Sequence, residues 1–359
     1  MDNLTSTPLT EHHKGLGAKI VPFAGFAMPV QYTSILAEHA HTRTQAAIFD
    51  ICHMGEFTLQ GSGAAQALNR CVSQDVETLG VGKCRYGFLV NDAGGVIDDL
   101  IVYRLEDERF MIVVNASRIA TDFARLTALL PAGLLFEDIS AQTAKIDLQG
   151  PKSFEVLLAL LPGRWSDLKY FNFTWTTFES LPIMVSRTGY TGELGYEFFL
   201  PAYKAVALWD RLLSDPRVKP AGLGARDTLR LEMGYPLYGQ DLDENHTPSE
   251  AGYGGLLKSG EFMGCAGARL IRERLTALSI PGRRSARHDD AVFCGGEQVG
   301  RVTSASFAPS LGHSVAMAYV DSGAAENTEF TIRTAKTELA ATRTDLPFYK
   351  GGTARMKLA

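Results

Sequence analysis

The stretch Asn91-Asp92-Ala93-Gly94-Gly95-Val96-Ile97-Asp98-Asp99 combines a tight turn with two adjacent carboxylates. Glycine adopts positive φ at little steric cost, and Asn and Asp stabilise turns through local hydrogen bonds. Apolar residues that favour strands flank the turn, with Tyr86–Val90 before it and Leu100–Tyr103 after it. This pattern predicts a β-hairpin whose second strand carries both aspartates near its start.

Asp98 and Asp99 are predicted to have different environments. Successive side chains of a strand point to opposite faces, so one aspartate should point inward and the other toward solvent. An inward carboxylate on a rigid strand is well placed to hold a cation or a proton donor. The alternative is that both aspartates are solvated turn residues.

Bulk composition restricts the class of protein. A chain of 359 residues that is 45% hydrophobic and 21% charged is typical of a globular protein of two to three domains. A net charge of −5 argues against a nucleic-acid or basic membrane surface. Five cysteines without a Cys-x-x-Cys pair indicate free thiols in a reducing compartment. Met1–Ser6 lacks the features of a signal peptide, and no apolar run reaches the ~18 residues of a membrane span, so a cytoplasmic location is expected.

A weak internal repeat runs through the first two thirds of the chain. Gln60-Gly61 and Gln149-Gly150 each end a strand-like segment and precede a helix-like one. A strand, a Gly-rich turn, a second strand and a further helix follow in both copies. The predicted helices are Gly63–Cys71, Arg118–Leu130, Lys152–Leu161 and Ala205–Leu213. The repeat predicts two related α+β units, with Asp99 and Glu197 each following a glycine turn; two short matches could also be coincidence.

After Pro281 the sequence changes to short alternating segments between Gly, Ser and Pro clusters. These segments are Ala291–Phe293, Gln298–Thr303, Ser314–Tyr319 and Glu329–Arg333. Their spacing predicts a small antiparallel β domain, with a boundary near Leu275–Arg284.

The other motifs mainly exclude particular kinds of binding site. Gly222-Leu223-Gly224 lacks the remainder of a phosphate loop, so Ala221–Glu232 is interpreted as a loop entering a helix. Arg226, at the entry, is a candidate functional residue, whereas Arg230 is equally explained by helix ion pairs. The acidic segment Leu237–Asn245 does not have the ligand register of a calcium loop, and the histidines lack zinc spacing. We predict no metal site and no covalent nucleophile.

Several long segments, in one order, resemble the glycine cleavage system T-protein (aminomethyltransferase) family. They are Gly17–Tyr32, Phe49–Glu56, Gly94–Tyr103, Arg187–Glu193, Gly222–Asp227 and Leu237–Glu244. The resemblance covers nearly the whole chain. It departs from the family pattern at Phe26, where the family has Trp, at Cys52, where it has Ser, and at Ala305, where it has Gly.

The resemblance implies an α+β fold arranged as a three-domain cloverleaf around a folate channel. Two α+β lobes, one of them ferredoxin-like, would precede a C-terminal antiparallel β-barrel or jelly roll. Residues 1–274 would form the folate-binding region as two intertwined lobes, with the second lobe at roughly 55–140. Residues 275–359 would form the barrel.

The resemblance also implies the reaction. A one-carbon unit would pass from the aminomethyl-lipoyl arm of H-protein to tetrahydrofolate, giving 5,10-methylenetetrahydrofolate, ammonia and dihydrolipoyl H-protein. P-protein and L-protein would be indirect partners, and no metal, nucleic acid or membrane is implied. Asp99 falls on the position of the catalytic carboxylate. The residues implied to bind substrate or folate are Met54, Tyr86, Tyr103, Asn115, Tyr190, Glu197, Arg226 and Arg355.

Two other functions are compatible with a folate site. A related tetrahydrofolate-dependent methyltransferase or demethylase would share the folate residues but not a docking surface for H-protein. A non-catalytic folate-binding protein of the iron–sulfur maintenance type is less favoured. Those proteins carry a Lys-Gly-Cys-Tyr-x-Gly-Gln motif, whereas Arg187–Glu193 has no cysteine.

Overall fold

The computed structural model describes residues 4–358. Met1–Asn3 and Ala359 lie outside the described residues, and so does the first half of the segment Met1–Ser6 that was considered as a signal peptide. The strands are β1 Thr5–Ser6, β2 Lys19–Phe23, β3 Phe26–Gln31, β4 Ala46–Asp50, β5 Gly55–Gln60, β6 Cys84–Val90, β7 Val96–Glu106, β8 Arg109–Val114, β9 Leu135–Asp138, β10 Thr143–Gln149, β11 Phe173–Phe178, β12 Leu181–Ser186, β13 Gly195–Pro201, β14 Val218–Pro220, β15 Glu273–Ile280, β16 Ala291–Cys294, β17 Glu297–Ala308, β18 His313–Asp321, β19 Glu329–Arg333 and β20 Glu338–Arg343. The helices are α1 Thr10–Gly15, α2 Ile35–Thr44, α3 Ala64–Cys71, α4 Ile119–Leu129, α5 Ser153–Leu160, α6 Ala205–Leu213, α7 Leu223–Glu232 and α8 Cys265–Ala268.

Two mixed α+β units form the first two thirds of the chain. One contains a six-stranded sheet of order β11-β12-β13-β10-β4-β14, and the other a five-stranded sheet of order β6-β7-β8-β5-β9. A small sheet, β1-β3-β2, lies at the N-terminal end. Each unit buries its own core. In α3, for example, Ala64, Leu68 and Cys71 are buried at intervals of three and four residues, which form one apolar face.

The internal repeat is confirmed by the order of elements. Both units run strand, helix, three strands, helix, strand, as β5-α3-β6-β7-β8-α4-β9 and β10-α5-β11-β12-β13-α6-β14. The two sheet orders correspond, apart from β4, which lies between β10 and β14.

The predicted equivalence of Asp99 and Glu197 within the repeat is wrong. Each unit has two strands more than predicted: β8 or β11 between its two helices, and β9 or β14 after the second helix. Only the strand between the helices changes which strands correspond. The Asp99 strand, β7, therefore corresponds to β12, and the Glu197 strand, β13, corresponds to β8. The β7–β8 turn consists of Asp107-Glu108 and contains no glycine or proline, so it carried little sequence signal.

The C-terminal segment forms the antiparallel barrel that the alternating pattern predicts. Its strands close in the order β15-β18-β17-β16-β19-β20. Val302, Ala316 and Ile332 are among the fully buried residues that fill its interior. The barrel begins at Glu273, where β15 enters the segment that was expected to hold the domain boundary. Within residues 4–358, no helix combines the length and apolar character needed to cross a bilayer.

Strand β7 connects the two units through its two faces. Leu100 and Val102 pack into the core of their own unit, against α3 and α4. Ile101 and Tyr103 point the other way and pack with residues of the six-stranded sheet, including Phe199. Because side chains alternate along a strand, Asp99 shares the face of Ile101 and Tyr103 and points toward the opposite unit.

Candidate active site

Asp99, on β7, is contacted by residues from both neighbouring strand segments, β6 and the end of β8. The Tyr86 hydroxyl, on β6, donates to Asp99 Oδ2 at 3.0 Å, and the Asn115 amide, directly after β8, donates to Oδ1 at 2.8 Å. Tyr86 in turn packs against Phe88 and Tyr253. The carboxylate is therefore held at both oxygens, beside an aromatic wall, and stays partly exposed.

The surroundings of Asp99 shift the pKa of its carboxyl group toward neutral pH. Burial, together with the neighbouring Asp98 carboxyl, raises the pKa of Asp99 to about 7. The hydrogen bonds from Tyr86 and Asn115 favour the ionised form and oppose this shift. A partly exposed carboxyl group whose pKa is raised by burial and by a charged neighbour is a candidate catalytic group.

The prediction that one aspartate faces solvent is wrong, and so is the alternative that both are solvated. Asp98 is fully buried, while Asp99 is partly exposed toward the opposite unit. The two side chains do point to opposite faces of β7. Both faces are covered because β7 lies inside its sheet, between its own core and the second unit.

Glu197, on β13, forms a second charged centre. It is buried, and its Oε2 accepts from the Thr188 hydroxyl at 2.7 Å and the Tyr103 hydroxyl at 3.3 Å. Lys145 Nζ lies 3.3 Å from the same oxygen and 3.6 Å from Met54 Sδ. Each of these contacts of Glu197 involves Oε2.

Asp147 and Arg226 extend this centre. Asp147, on β10, lies directly opposite Glu197 in the sheet, and Arg226, near the start of α7, donates to Asp147 Oδ2 at 3.0 Å. The Arg226 guanidinium lies over the Tyr190 ring, 4.8 Å from its centre. Burial raises the pKa of Asp147 to about 7; the Glu197 charge adds to this shift, and the Arg226 charge opposes it.

The predicted residues, except Arg355, therefore form two neighbouring clusters. Asp99 and Tyr103 are four residues apart on one face of β7, so the two centres are separated by about 13 Å along the strand. Tyr190 lies near both: the Arg226 guanidinium stands over its ring, and burial, with a smaller contribution from the Asp99 charge, raises the pKa of its hydroxyl. Arg355 is exposed and lies over the Tyr170 ring, at 5.7 Å.

Sequence reasoning missed Lys145 and Asp147. They are alternate residues of β10, and both are fully buried. Ile146 and Leu148, on the opposite face of the same strand, are buried and apolar. Two polar residues at a spacing of two in such a strand indicate a polar face, and this signal was available in the sequence. Among residues 4–358, no group of three or more His, Cys, Asp or Glu side chains is arranged to hold a metal ion.

Comparisons with known proteins cover both the α+β units and the barrel. Residues 9–260 match the GCVT N-terminal domain, and residues 273–350 match the glycine cleavage T-protein C-terminal barrel domain. The aminomethyltransferase of Halothermothrix orenii is 42% identical over 327 residues, which are 88% of this chain and 92% of that protein. The aminomethyltransferase of Rubrobacter xylanophilus is 42% identical over 358 residues, covering 97% and 95%.

A solved structure gives the same result. The crystal structure of glycine cleavage system aminomethyltransferase T from Bartonella henselae superposes with a TM-score of 0.91 at 34% sequence identity. The match covers 98% of this chain and 99% of that chain. The similarity therefore includes the relative arrangement of both units and the barrel.

Proposed function

Because this chain belongs to the glycine cleavage T-protein family and is an aminomethyltransferase of the glycine cleavage system, we propose that tetrahydrofolate binds between its two α+β units, at the Asp99 and Glu197 centres. The family, the α+β fold with its barrel and the transferase activity predicted from the sequence are confirmed. Lipoylated H-protein is the proposed donor, with P-protein and L-protein as indirect partners. A cytoplasmic location stays a prediction.

Glu197 is proposed to hold the pterin ring. A reduced pterin presents an amino group and a ring N–H on one edge, and a carboxylate can accept both hydrogen bonds. Thr188, Tyr103 and Lys145 approach Oε2 of Glu197 and fix its orientation, which favours presenting Oε1 to a ligand. Each hydrogen bond to the charged group contributes roughly 1.5–3 kcal/mol. Arg226, above Tyr190, suits a pterin carbonyl or the anionic glutamate tail.

Asp99 is proposed as the catalytic carboxylate. The two folate nitrogens that carry the 5,10-methylene bridge in the product each form a bond to the methylene carbon and each lose one proton, while the bonds from that carbon to sulfur and to the amine nitrogen break. The two protons leave on ammonia and on the dihydrolipoyl thiol. Iminium-like positive charge develops on the carbon during transfer. A carboxylate about 4 Å away stabilises this charge by on the order of 4 kcal/mol at an effective dielectric near 20. Because this charge develops mainly in the transition state, the stabilisation increases the rate of transfer about a thousandfold.

The observation that carries this proposal is the partly exposed Asp99 carboxylate, both oxygens of which are held by hydrogen bonds from Tyr86 and Asn115. Asp99 can also orient the attacking nitrogen or accept its proton, since the pKa of its carboxyl group lies near 7.

The test is the formation of ammonia and 5,10-methylenetetrahydrofolate from aminomethylated H-protein. Asp99→Asn should lower kcat by at least about a hundredfold and leave folate affinity within several-fold, because the amide keeps the shape but loses the charge. Asp167→Asn, at an exposed ion pair with Arg164, is the matched control and should behave as wild type. Absence of both products with the wild-type protein, or equal kcat for the two variants, would contradict the proposal.

A further inference from the structure

Three polar side chains are buried in a row on one face of β10. They are Lys145, Asp147 and Gln149, which alternate with apolar residues along the strand. The strand lies inside its sheet, between β13 and β4. Burying a charged side chain costs free energy unless the charge is paired and hydrogen-bonded. The partners of Asp147 therefore indicate what this buried charge does.

Both oxygens of the Asp147 carboxyl group accept hydrogen bonds from protein donors. Oδ2 accepts from Arg226 Nη1 at 3.0 Å, and Oδ1 accepts from the Gln149 amide at 2.5 Å. The same amide donates to the Thr188 carbonyl oxygen at 3.1 Å, and the Gln149 carbonyl oxygen accepts from the Thr191 hydroxyl at 2.8 Å. Asp147 is fully buried and presents no surface to a ligand. Its contribution to ligand binding must act through a residue that it contacts.

Arg226 is the partner of Asp147 that can reach a ligand. Its side chain is 14% exposed, and Nη1 is its only nitrogen that donates to an atom of residues 4–358. Nε and Nη2 therefore remain as donors for a ligand. The guanidinium lies over the Tyr190 ring, and that ring is held because its hydroxyl donates to the Pro236 carbonyl oxygen. A planar guanidinium held at one nitrogen and against one ring presents its other donors in a fixed direction.

Glu197 lies beside this pair. Asp147 and Glu197 are directly opposite each other in the β10–β13 ladder, and such residues have Cβ atoms about 4.5–5.5 Å apart. Like charges at this spacing are unfavourable unless cations offset them. Arg226 pairs with Asp147 at 3.0 Å, and Lys145 Nζ lies 3.3 Å from Glu197 Oε2, so each acid has its own cation. The arrangement leaves an acceptor, Glu197, and a donor, Arg226, close together.

We propose that Asp147 is a positioning residue for tetrahydrofolate, and that it fixes the Arg226 guanidinium beside Glu197. Arg226 and Asp147 then contribute to folate binding as one unit. Without Asp147, Arg226 keeps its charge but has to be ordered by the ligand itself, which costs binding free energy. The inference rests on the tetrahydrofolate site of the proposed function.

A double-mutant cycle tests whether the two residues act as one unit. Calorimetry with tetrahydrofolate, in oxygen-free buffer at pH 8, measures binding above the pKa of about 7 of the Asp147 carboxyl group. Asp147→Ala should raise the Kd by about tenfold when Arg226 is present. In the Arg226→Ala background the same substitution should weaken binding no further, because no guanidinium remains to be positioned. Equal losses in both backgrounds, or no loss when Arg226 is present, would overturn the proposal.

A second variant guards against misfolding. Asp147→Asn keeps the volume of the buried side chain and an oxygen that can accept from Arg226, but it removes the charge. Its Kd should rise by about threefold, since a neutral acceptor forms a weaker hydrogen bond with a guanidinium. This smaller loss should also require Arg226, and an equal loss in the Arg226→Ala background would contradict the positioning role.

Steady-state kinetics separates positioning from a general loss of structure. Asp147→Ala should raise the KM for tetrahydrofolate and leave kcat at saturating folate within about twofold, because Asp99 has its own hydrogen-bond partners. The control is Asp215→Ala, which removes another buried acid paired with an arginine, Arg217, at 2.6 Å. It should change neither parameter. A lower kcat for Asp147→Ala with an unchanged KM would overturn the proposal.

The outcomes also separate this inference from the proposed function. A wild-type protein that shows the coupling but forms no ammonia from aminomethylated H-protein would count against the proposed reaction alone. A loss of affinity that is independent of Arg226, in an active enzyme, would overturn the role of Asp147 alone. A wild-type protein that does not bind tetrahydrofolate would overturn both.

Discussion

The Glu197 carboxylate is a single group whose contribution to folate binding can be isolated by substitution. Glu197→Ala removes the acceptor proposed for the pterin edge and leaves Lys145 without its partner at 3.3 Å. Two charged hydrogen bonds are lost, so the Kd for a reduced folate should rise by about a hundredfold or more. Titration calorimetry measures this change, with Glu106→Ala, an exposed acid at the end of β7, as control. Unchanged affinity would remove Glu197 from the site.

Asp99 should also set the pH dependence of catalysis. Since burial raises its pKa to about 7 and the ionised form is the active one, kcat should rise with pH through about 7 and then level off. The unfolded chain ionises Asp99 near pH ~4, so between these values the folded state holds the extra proton and its stability falls as pH rises. Asp99→Asn lacks this penalty, so its stability relative to wild type should be greater at pH 8 than at pH 5. Urea unfolding at both pH values measures the difference, and the opposite sign would contradict the raised pKa of Asp99.

At the scale of elements, the turn of the β6–β7 hairpin packs directly against the backbone of Asp243 and Glu244. A Cβ on Gly95 would lie 1.8 Å from the Glu244 carbonyl oxygen, and the Val96 N–H donates to the Asp243 carbonyl at 2.9 Å. Gly95→Ala must therefore displace the turn that precedes Asp99. We expect a cost of about 1–3 kcal/mol, a lower thermal midpoint and a reduced kcat. Gly323→Ala, where no atom lies within 4 Å of the added Cβ, should change neither midpoint nor kcat.

At the scale of the whole molecule, Asp241 joins the folate-binding region to the barrel. Its Oδ2 pairs with the buried Arg230 of α7 at 2.8 Å and accepts from Ser304 at 2.7 Å, and its Oδ1 accepts from Thr303 on β17. Asp241→Ala leaves the Arg230 guanidinium buried without this carboxylate. The free energy of unfolding should fall by about 3–5 kcal/mol. Asp167→Ala, at an exposed ion pair, should cost less than about 1 kcal/mol in the same urea titration; equal losses would show that Asp241 does not join the two parts.

Local features of the chain were predicted well from the sequence. The Gly94-Gly95 turn between apolar strands forms the expected hairpin, and the helix predicted at Ala205–Leu213 has those bounds. These elements depend on turn chemistry and side-chain periodicity, which act over a few residues. Strand β11 was missed for a local reason too, because its mixture of Thr with aromatic residues lies at a sheet edge and gives no long apolar run.

By itself, the sequence determined the family, the type of most elements and which aspartate shares a face with Tyr103. Only the tertiary structure decided that both faces of β7 are covered and that Asp147 lies opposite Glu197. Alternation along a strand predicts which side chains share a face of the sheet. The residues that cover each face come from segments far apart in the chain. The β10–β13 pairing and the packing of β7 against the six-stranded sheet bring such segments together, so the charge environment of both centres exists only in the folded molecule.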